Sequence, residues 1–140
     1  MAGIENLKTL LASMEPKLDP QSYIFCCVGN KKIDEIAYLN PLMTFREKEG
    51  LTLILEKEDA IWNNIQFESV YRLITLSVHS SLDAVGLTAS FSEKLASRNI
   101  SANVISAYFH DHIFVQEHKA EEALKALYEL QSLEGKQDNF

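Results

Sequence analysis

The feature that most constrains the fold is a repeated order of elements, because each half of the 140-residue chain is predicted to contain a β-hairpin followed by a helix. In the second half, residues 70–78 alternate apolar and polar side chains, which indicates a strand. A helix is predicted at 84–99, because Leu87, Phe91 and Leu95 recur four residues apart on one face. Strands are predicted at 100–109 and 112–116, and a last helix at 118–130. Only His110 and Asp111 separate those two strands, which predicts a tight hairpin. The order is β-α-β-β-α.

The first half is less regular. It is predicted to hold a helix that Pro16 and Pro20 end, then a strand, a hairpin and a short helix, at 4–14, 23–29, 41–47, 51–56 and 58–65. Residues 36–39 are a weak candidate for a further strand. The second half matches a ferredoxin-like unit that lacks its last strand, and the first half matches one that lacks its first.

These patterns predict an α+β fold of two interlocked ferredoxin-like units, with antiparallel sheets and helices on one face. The units are expected to share or exchange strands, because about 70 residues alone bury little surface. We place the N-terminal unit at 1–67 and the C-terminal unit at 68–140, the latter ending in a polar tail.

Composition excludes several classes of function. The net charge of −7 argues against a general binder of nucleic acid or anionic membranes. No apolar run approaches the ~20 residues that span a bilayer, and the N-terminus does not resemble a signal peptide, so we expect a cytoplasmic protein. The sequence has no G-x-S-x-G elbow, P-loop or G-x-G-x-x-G, and we expect neither catalysis nor a cofactor.

The two cysteines, Cys26 and Cys27, are neighbours within the apolar run YIFCCV. On a strand, adjacent side chains point to opposite faces, and zinc sites usually space their ligands further apart. Apolar burial also raises the pKa of a thiol and makes it inert as a nucleophile. We therefore expect reduced, structural thiols.

The loop between the strand at 70–78 and the following helix is the first candidate binding site. Asp83 is placed to cap the helix or to lie in its first turn. Helix-start amides suit a carboxylate, Gly86 would let a ligand approach the backbone, and Ser80 and Ser81 add hydroxyls. The alternative is an ordinary helix start in which Gly86 serves close packing.

The histidines are the second candidate. His79 ends one strand and His112 begins its antiparallel neighbour, on the same face by parity, while His110 and Asp111 occupy the turn. Such a cluster could hold a ligand carboxylate, bind a divalent metal or sense pH, or it could be a plain polar turn.

Two further side chains are candidates in the first half. Arg46 could clamp an anion, although an arginine beside acidic neighbours on a strand is more often a solvated ion-pair partner. Trp62 is the sole tryptophan, and we expect it to pack in the core or at an interface.

The stretch from Leu76 to Ala126 resembles an ACT domain. The loop HSSLDAVGL carries an acidic residue and a glycine before the helix, and NISANVIS fits the second strand. Val85-Gly86 stands where that family commonly has Pro-Gly. With TFREKEGLTLIL (44–55), RLITLSVHSSLDAVGLTA (72–89) and YFHDHIFV (108–115), the chain resembles a small bacterial family of tandem ACT-like domains over roughly residues 7–130.

Exposed strand edges in units of this kind invite pairing, so we expect a homodimer or homotetramer. The resemblance implies a non-enzymatic regulatory or carrier protein that binds a small polar metabolite, an amino acid above all. Together with the residues above, it predicts a set of ligand contacts: His79, Ser80, Ser81, Asp83, Val85, Gly86, Asn103, His110, Asp111, His112 and Arg46. Two alternatives stay open. One is an oligomerisation module without a ligand, and the other is a metal-dependent enzyme at His79, His110, Asp111 and His112.

Overall fold

The computed structural model describes residues 3–137 of the chain. Its helices and strands, in chain order, are α1 (Leu7–Ala12), β1 (Pro16–Cys27), α2 (Ile33–Ile36), β2 (Met43–Glu47), β3 (Gly50–Glu56), α3 (Lys57–Trp62), β4 (Tyr71–Leu76), α4 (Leu87–Ser97), β5 (Asn103–Ser106), β6 (Asp111–Gln116) and α5 (Ala120–Gln137). Short 3₁₀ turns follow α2 at Ala37–Leu39 and β6 at Glu117–Lys119. Among the described residues, no helix is long and apolar enough to cross a membrane.

The chain divides into two compact units that do not coincide with its halves. Residues 20–72 form a central unit, whereas residues up to 19 join those from 73 onward in a discontinuous unit. The helix α1 thus belongs with the C-terminal elements, which confirms that the two units are interlocked in sequence. The division of the chain into domains at residues 67 and 68 stays a prediction.

The central unit has the strand order β2-β3-β1, and both pairs of strands are antiparallel. Leu53 of β3 pairs with Cys26 of β1 and with Thr44 of β2. Its core is aliphatic, because alternate strand residues and the apolar side of the short helices meet there: Ile24, Ile36, Leu39, Leu51, Leu53, Leu55 and Ala60. With α2 present, its elements run β1-α2-β2-β3-α3. The expectation that this unit lacks a first strand is therefore wrong.

The discontinuous unit has the strand order β4-β6-β5, with β5 and β6 antiparallel. The predicted helix stripe of α4 is confirmed, since Leu87, Phe91 and Leu95 are all buried in its core. The alternation predicted for residues 70–78 is confirmed as well, because Ile74, Leu76 and Val78 lie in the same core. Ile113 and Val115, alternate residues of β6, lie there too. The order β4-α4-β5-β6-α5 is the ferredoxin-like order predicted from sequence.

Several local predictions are wrong. Residues 36–39 are helical rather than extended, because Ile36 and Leu39 are buried three residues apart, at the spacing of a helical turn. The helix α1 ends at Ala12, and Pro16 and Pro20 lie within β1 instead.

The β5–β6 hairpin has a loop of four residues, not two, that the Ala107 N–H closes by donating to the His110 carbonyl at 3.0 Å. The first residues of the predicted polar tail are helical, because α5 continues without a break from Ala120 as far as Gln137. The last three residues of the tail lie outside the described residues. Trp62 is 86% exposed, so the expectation of core packing is wrong, and interface packing stays a prediction.

A cavity beside the loop after β4

A small cavity lies in the discontinuous unit between the loop after β4, the start of α4 and the β5–β6 hairpin. Its volume is about 140 Å³. It is lined by four hydroxyl-bearing residues, three apolar ones and one acid: Ser80, Ser81, Thr88, Ser106, Leu82, Ala84, Leu87 and Asp111. We call it the hydroxyl-lined cavity. Three of the predicted ligand contacts, Ser80, Ser81 and Asp111, are therefore brought together here.

Asp111 is the polar centre of this cavity. It is the first residue of β6 and is only 6% exposed. Its two carboxylate oxygens accept hydrogen bonds from Ser80 Oγ at 3.1 Å and from Ser106 Oγ at 2.7 Å. A carboxylate has about four lone-pair sites, so it can accept further donors beyond these two hydroxyls.

The start of α4 is built differently from the prediction. Gly86 is the N-cap residue, with a left-handed φ of 101° that favours glycine, and no side-chain cap is present. Asp83 does not cap the helix and is exposed; its backbone N–H donates to Ser81 Oγ at 3.1 Å. The first-turn amides of α4 consequently lack a capping side chain, which is the arrangement that suits an anionic group.

Gly86 packs closely against α1. A Cβ built on it would lie 3.0 Å from Leu7 Cδ2, so the leucine of α1 covers the open side of the glycine. This contact supports the close-packing alternative, and the approach of a ligand at Gly86 stays a prediction. The missing Cβ creates the space that Leu7 fills.

The N-terminal segment also lies against this loop, which the sequence analysis missed. The Ile4 N–H donates to the His79 carbonyl and the Ser81 N–H donates to the Ile4 carbonyl, each at 2.9 Å, as an isolated parallel bridge. Ser81 Oγ in turn donates to Glu5 Oε1 at 3.3 Å. No periodic pattern marks Glu5, because a contact across so many residues leaves no local signal.

The histidines line up as a row of ring contacts rather than as a metal site. Ring centroids are 5.2 Å apart for His79 and Phe109, 6.3 Å for Phe109 and His110, and 6.4 Å for His110 and His112. His110 Nδ1 donates to the Val78 carbonyl at 3.1 Å. Over residues 3–137, no group of three His, Cys, Asp or Glu side chains is placed to hold a metal ion.

His112 is half-buried on β6, and its Nδ1 shares a hydrogen bond of 2.9 Å with Thr75 Oγ1. Burial lowers the pKa of His112 below its usual value, and the nearby His110 lowers it further, while Asp111 acts in the opposite direction. The neutral imidazole is therefore favoured in the folded protein.

The remaining predicted contacts lie outside the lining of the cavity. Val85 is 83% exposed, and Asn103 Nδ2 donates to the Phe114 carbonyl of the neighbouring strand at 3.2 Å. Arg46 belongs to the central unit, where its guanidinium donates to the Lys31 carbonyl at 3.1 Å.

The chain matches two family models, both described as ACT domain, over residues 2–72 and 68–129. Among solved structures it is similar to a Vibrio cholerae protein of unknown function, described as a possible transport protein, with 52% identity and a TM-score of 0.79 over 86% of this chain and 92% of that one. A protein from Agrobacterium tumefaciens aligns with 17% identity and a TM-score of 0.69, over 83% and 87% of the two chains.

The regulatory subunit of aspartate kinase from Thermus thermophilus, in a ligand-free form, aligns with 12% identity and a TM-score of 0.61, over 84% of this chain and 97% of that one. At this identity the likeness shows the fold alone. No curated protein matches the sequence. The first match covers more than half of the chain and the second covers most of the remainder, so the protein belongs to the ACT-domain family and carries two such domains in tandem.

Proposed function

We propose that this protein is a non-enzymatic, cytoplasmic regulatory or carrier protein that binds a small amino acid in the hydroxyl-lined cavity. The observation that carries the proposal is the buried Asp111, held by Ser80 and Ser106 beside an uncapped helix start. ACT domains are typically regulatory domains that bind small molecules, which supports the same conclusion.

The cavity offers partners for both charges of an amino acid. Asp111 can accept hydrogen bonds from the ammonium group, whereas the amides of the first turn of α4 and the serine hydroxyls can donate to the carboxylate. At about 140 Å³ it is smaller than the roughly 300–1,000 Å³ of drug-sized sites, which favours a small side chain.

A panel of amino acids in a thermal-shift titration tests this function. A ligand at about 100 times its dissociation constant should add about 2.7 kcal/mol to the free energy of unfolding. Asp111→Asn should abolish the shift because it removes the counter-charge of the ammonium. Asp34→Asn, the same change at an exposed position in α2 of the central unit, should retain it. The proposal is wrong if no amino acid stabilises the protein, and the site is wrong if Asp111→Asn binds as tightly as the native chain.

A regulatory signal from such a protein would pass through its assembly state or through a partner protein, and we propose a homodimer or homotetramer. Sedimentation velocity with and without the stabilising amino acid measures this directly.

An interaction module without a ligand is the second candidate. The exposed aromatic pair Tyr108 and Phe109, with ring centroids 4.9 Å apart, favours it because exposed aromatic side chains are common at protein interfaces. Under this candidate, Tyr108→Ser would dissociate the oligomer and no amino acid would stabilise the protein.

A further inference from the structure

The central unit contains a second and larger cavity, of about 480 Å³. Two stretches and one further residue line it: residues 25–28, at the end of β1, residues 64–69, after α3, and Tyr71. We call it the aromatic cavity. The loop at 29–32, which directly follows β1, does not contribute to the lining.

The floor of the aromatic cavity is apolar and is fixed by the core of the unit. Cys26, Val28, Ile65 and Phe67 are partly buried, and all four pack against the core of the central unit. Phe25 and Tyr71 form an edge-to-face pair with centroids 5.2 Å apart. These packed side chains make the cavity a preformed site for an aromatic or branched apolar group.

The rim of the aromatic cavity selects the charge of a ligand. Among the described residues that line it, Glu68 is the one with a charged side chain. The other polar side chains of the 64–69 stretch are neutral: Asn64, Gln66 and Ser69. Lysine, arginine and histidine are absent from the lining. A carboxylate or phosphate would therefore meet Glu68 without a counter-charge, whereas an ammonium group would be attracted to the Glu68 carboxylate.

We propose that the aromatic cavity is a second ligand site, which binds an amine that carries an aromatic or branched apolar group and no carboxylate. Its ligand differs from that of the hydroxyl-lined cavity, which has hydroxyl donors, a helix start and a volume of about 140 Å³ against 480 Å³. The chain would then bind two chemically different metabolites, one in each unit.

Calorimetric titration with three ligands of the same shape tests the proposal: phenethylamine, phenethyl alcohol and phenylacetate. We expect phenethylamine to bind most tightly and phenylacetate not to bind. Glu68→Lys should reverse this order, because it replaces the rim carboxylate by an ammonium, and should leave the affinity for the alcohol within about twofold. Glu49→Lys, the same charge change at the exposed β2–β3 turn and outside the cavity, should leave the order unchanged.

A chemical probe locates the bound amine. Cys27 lines the cavity and is exposed, so saturating phenethylamine should slow its alkylation by iodoacetamide several-fold. The proposal is overturned if phenethylamine does not bind, if phenylacetate binds equally well, or if Glu49→Lys acts as strongly as Glu68→Lys. None of these results bears on the amino-acid shift that Asp111→Asn tests, so the two proposals fail separately.

Discussion

At the level of single residues, the polar groups of the hydroxyl-lined cavity are held by one another. Ser80 is 7% exposed and donates to Asp111, which is also buried. A buried hydroxyl that loses its acceptor destabilises the folded protein, because no hydrogen bond replaces those that it made with water in the unfolded chain. Ser80, Ser106 and Asp111 therefore set both local stability and the chemistry proposed for the site.

Replacing the acceptor should destabilise the protein. We expect Asp111→Ala to lower the free energy of unfolding by about 1–3 kcal/mol, because Ser80 and Ser106 both lose their acceptor. Asp83→Ala, at an exposed position, should change it by less than about 0.5 kcal/mol. Urea denaturation measures both variants, and equal stability of the two would contradict this account of Asp111.

His112 should make stability depend on pH. Its pKa in the folded protein lies below the ordinary value of 6.5, because burial and His110 disfavour the cation. As the pH falls, His112 therefore takes up its proton in the unfolded chain before it does so in the folded protein. Its contribution to the free energy of unfolding is complete above about pH 6.5 and is lost as the pH falls through the lowered pKa.

The variant His112→Asn should therefore lose less stability than the native protein between about pH 8 and pH 5 in urea titrations. His118→Asn, at an exposed histidine of the 3₁₀ turn after β6, should follow the native curve. If the His112 variant retains the full native pH dependence, the titrating group lies elsewhere.

At the level of elements, the N-terminal segment before α1 is bound along the loop after β4. A Cβ built on Gly3 would lie 2.7 Å from three backbone atoms, the His79 oxygen, the Ser80 carbonyl carbon and the Ser81 nitrogen. Backbone atoms at that distance cannot move aside as a flexible side chain can. Glycine is therefore required at this position for the segment to pair.

A methyl group at residue 3 should release this segment. We expect Gly3→Ala to lower the free energy of unfolding by about 1–3 kcal/mol and to remove the hydrogen-exchange protection of the Ile4 and Ser81 amides. Gly135→Ala is the matched control, because Gly135 lies in α5 with open space around it and alanine favours a helix by about 0.5–1 kcal/mol. Retained protection in the Gly3 variant would show that the segment tolerates the methyl group.

At the level of the whole molecule, the discontinuous unit depends on a helix from the far end of the chain. Leu10 and Leu11 of α1 and the following Met14 are buried in the core that α4 and α5 also form. Full burial of such side chains contributes about 1.5–3 kcal/mol each, which is large beside the net stability of a small domain.

Cutting the chain at the predicted boundary should therefore disrupt this unit. We expect a fragment of residues 68–140 not to unfold cooperatively by circular dichroism, and a peptide of residues 1–19, added in trans, to restore the transition. The same peptide with Leu10→Ala and Met14→Ala should fail to do so, because the core loses the side chains that the helix supplies. A cooperative transition of the fragment alone would show instead that the boundary at 67 and 68 separates independent domains.

The amino-acid sequence by itself determined the order β4-α4-β5-β6-α5 and the family, because both depend on local periodicity and short motifs. The spacing of Leu87, Phe91 and Leu95 was sufficient to predict α4 and its buried face. The sequence also indicated Ser80, Ser81 and Asp111 as candidate site residues, but it did not predict that one cavity is lined by all three.

Only the tertiary structure decided which surfaces meet. Periodicity reports that a face is buried but not what covers it, so neither Leu7 against Gly86 nor Ile4 beside Ser80 could be predicted. The helix α2 was missed because one short turn carries too little periodic signal. The assignment of α1 to the C-terminal elements was missed for a related reason, since packing between residues far apart in the chain produces no local sequence pattern.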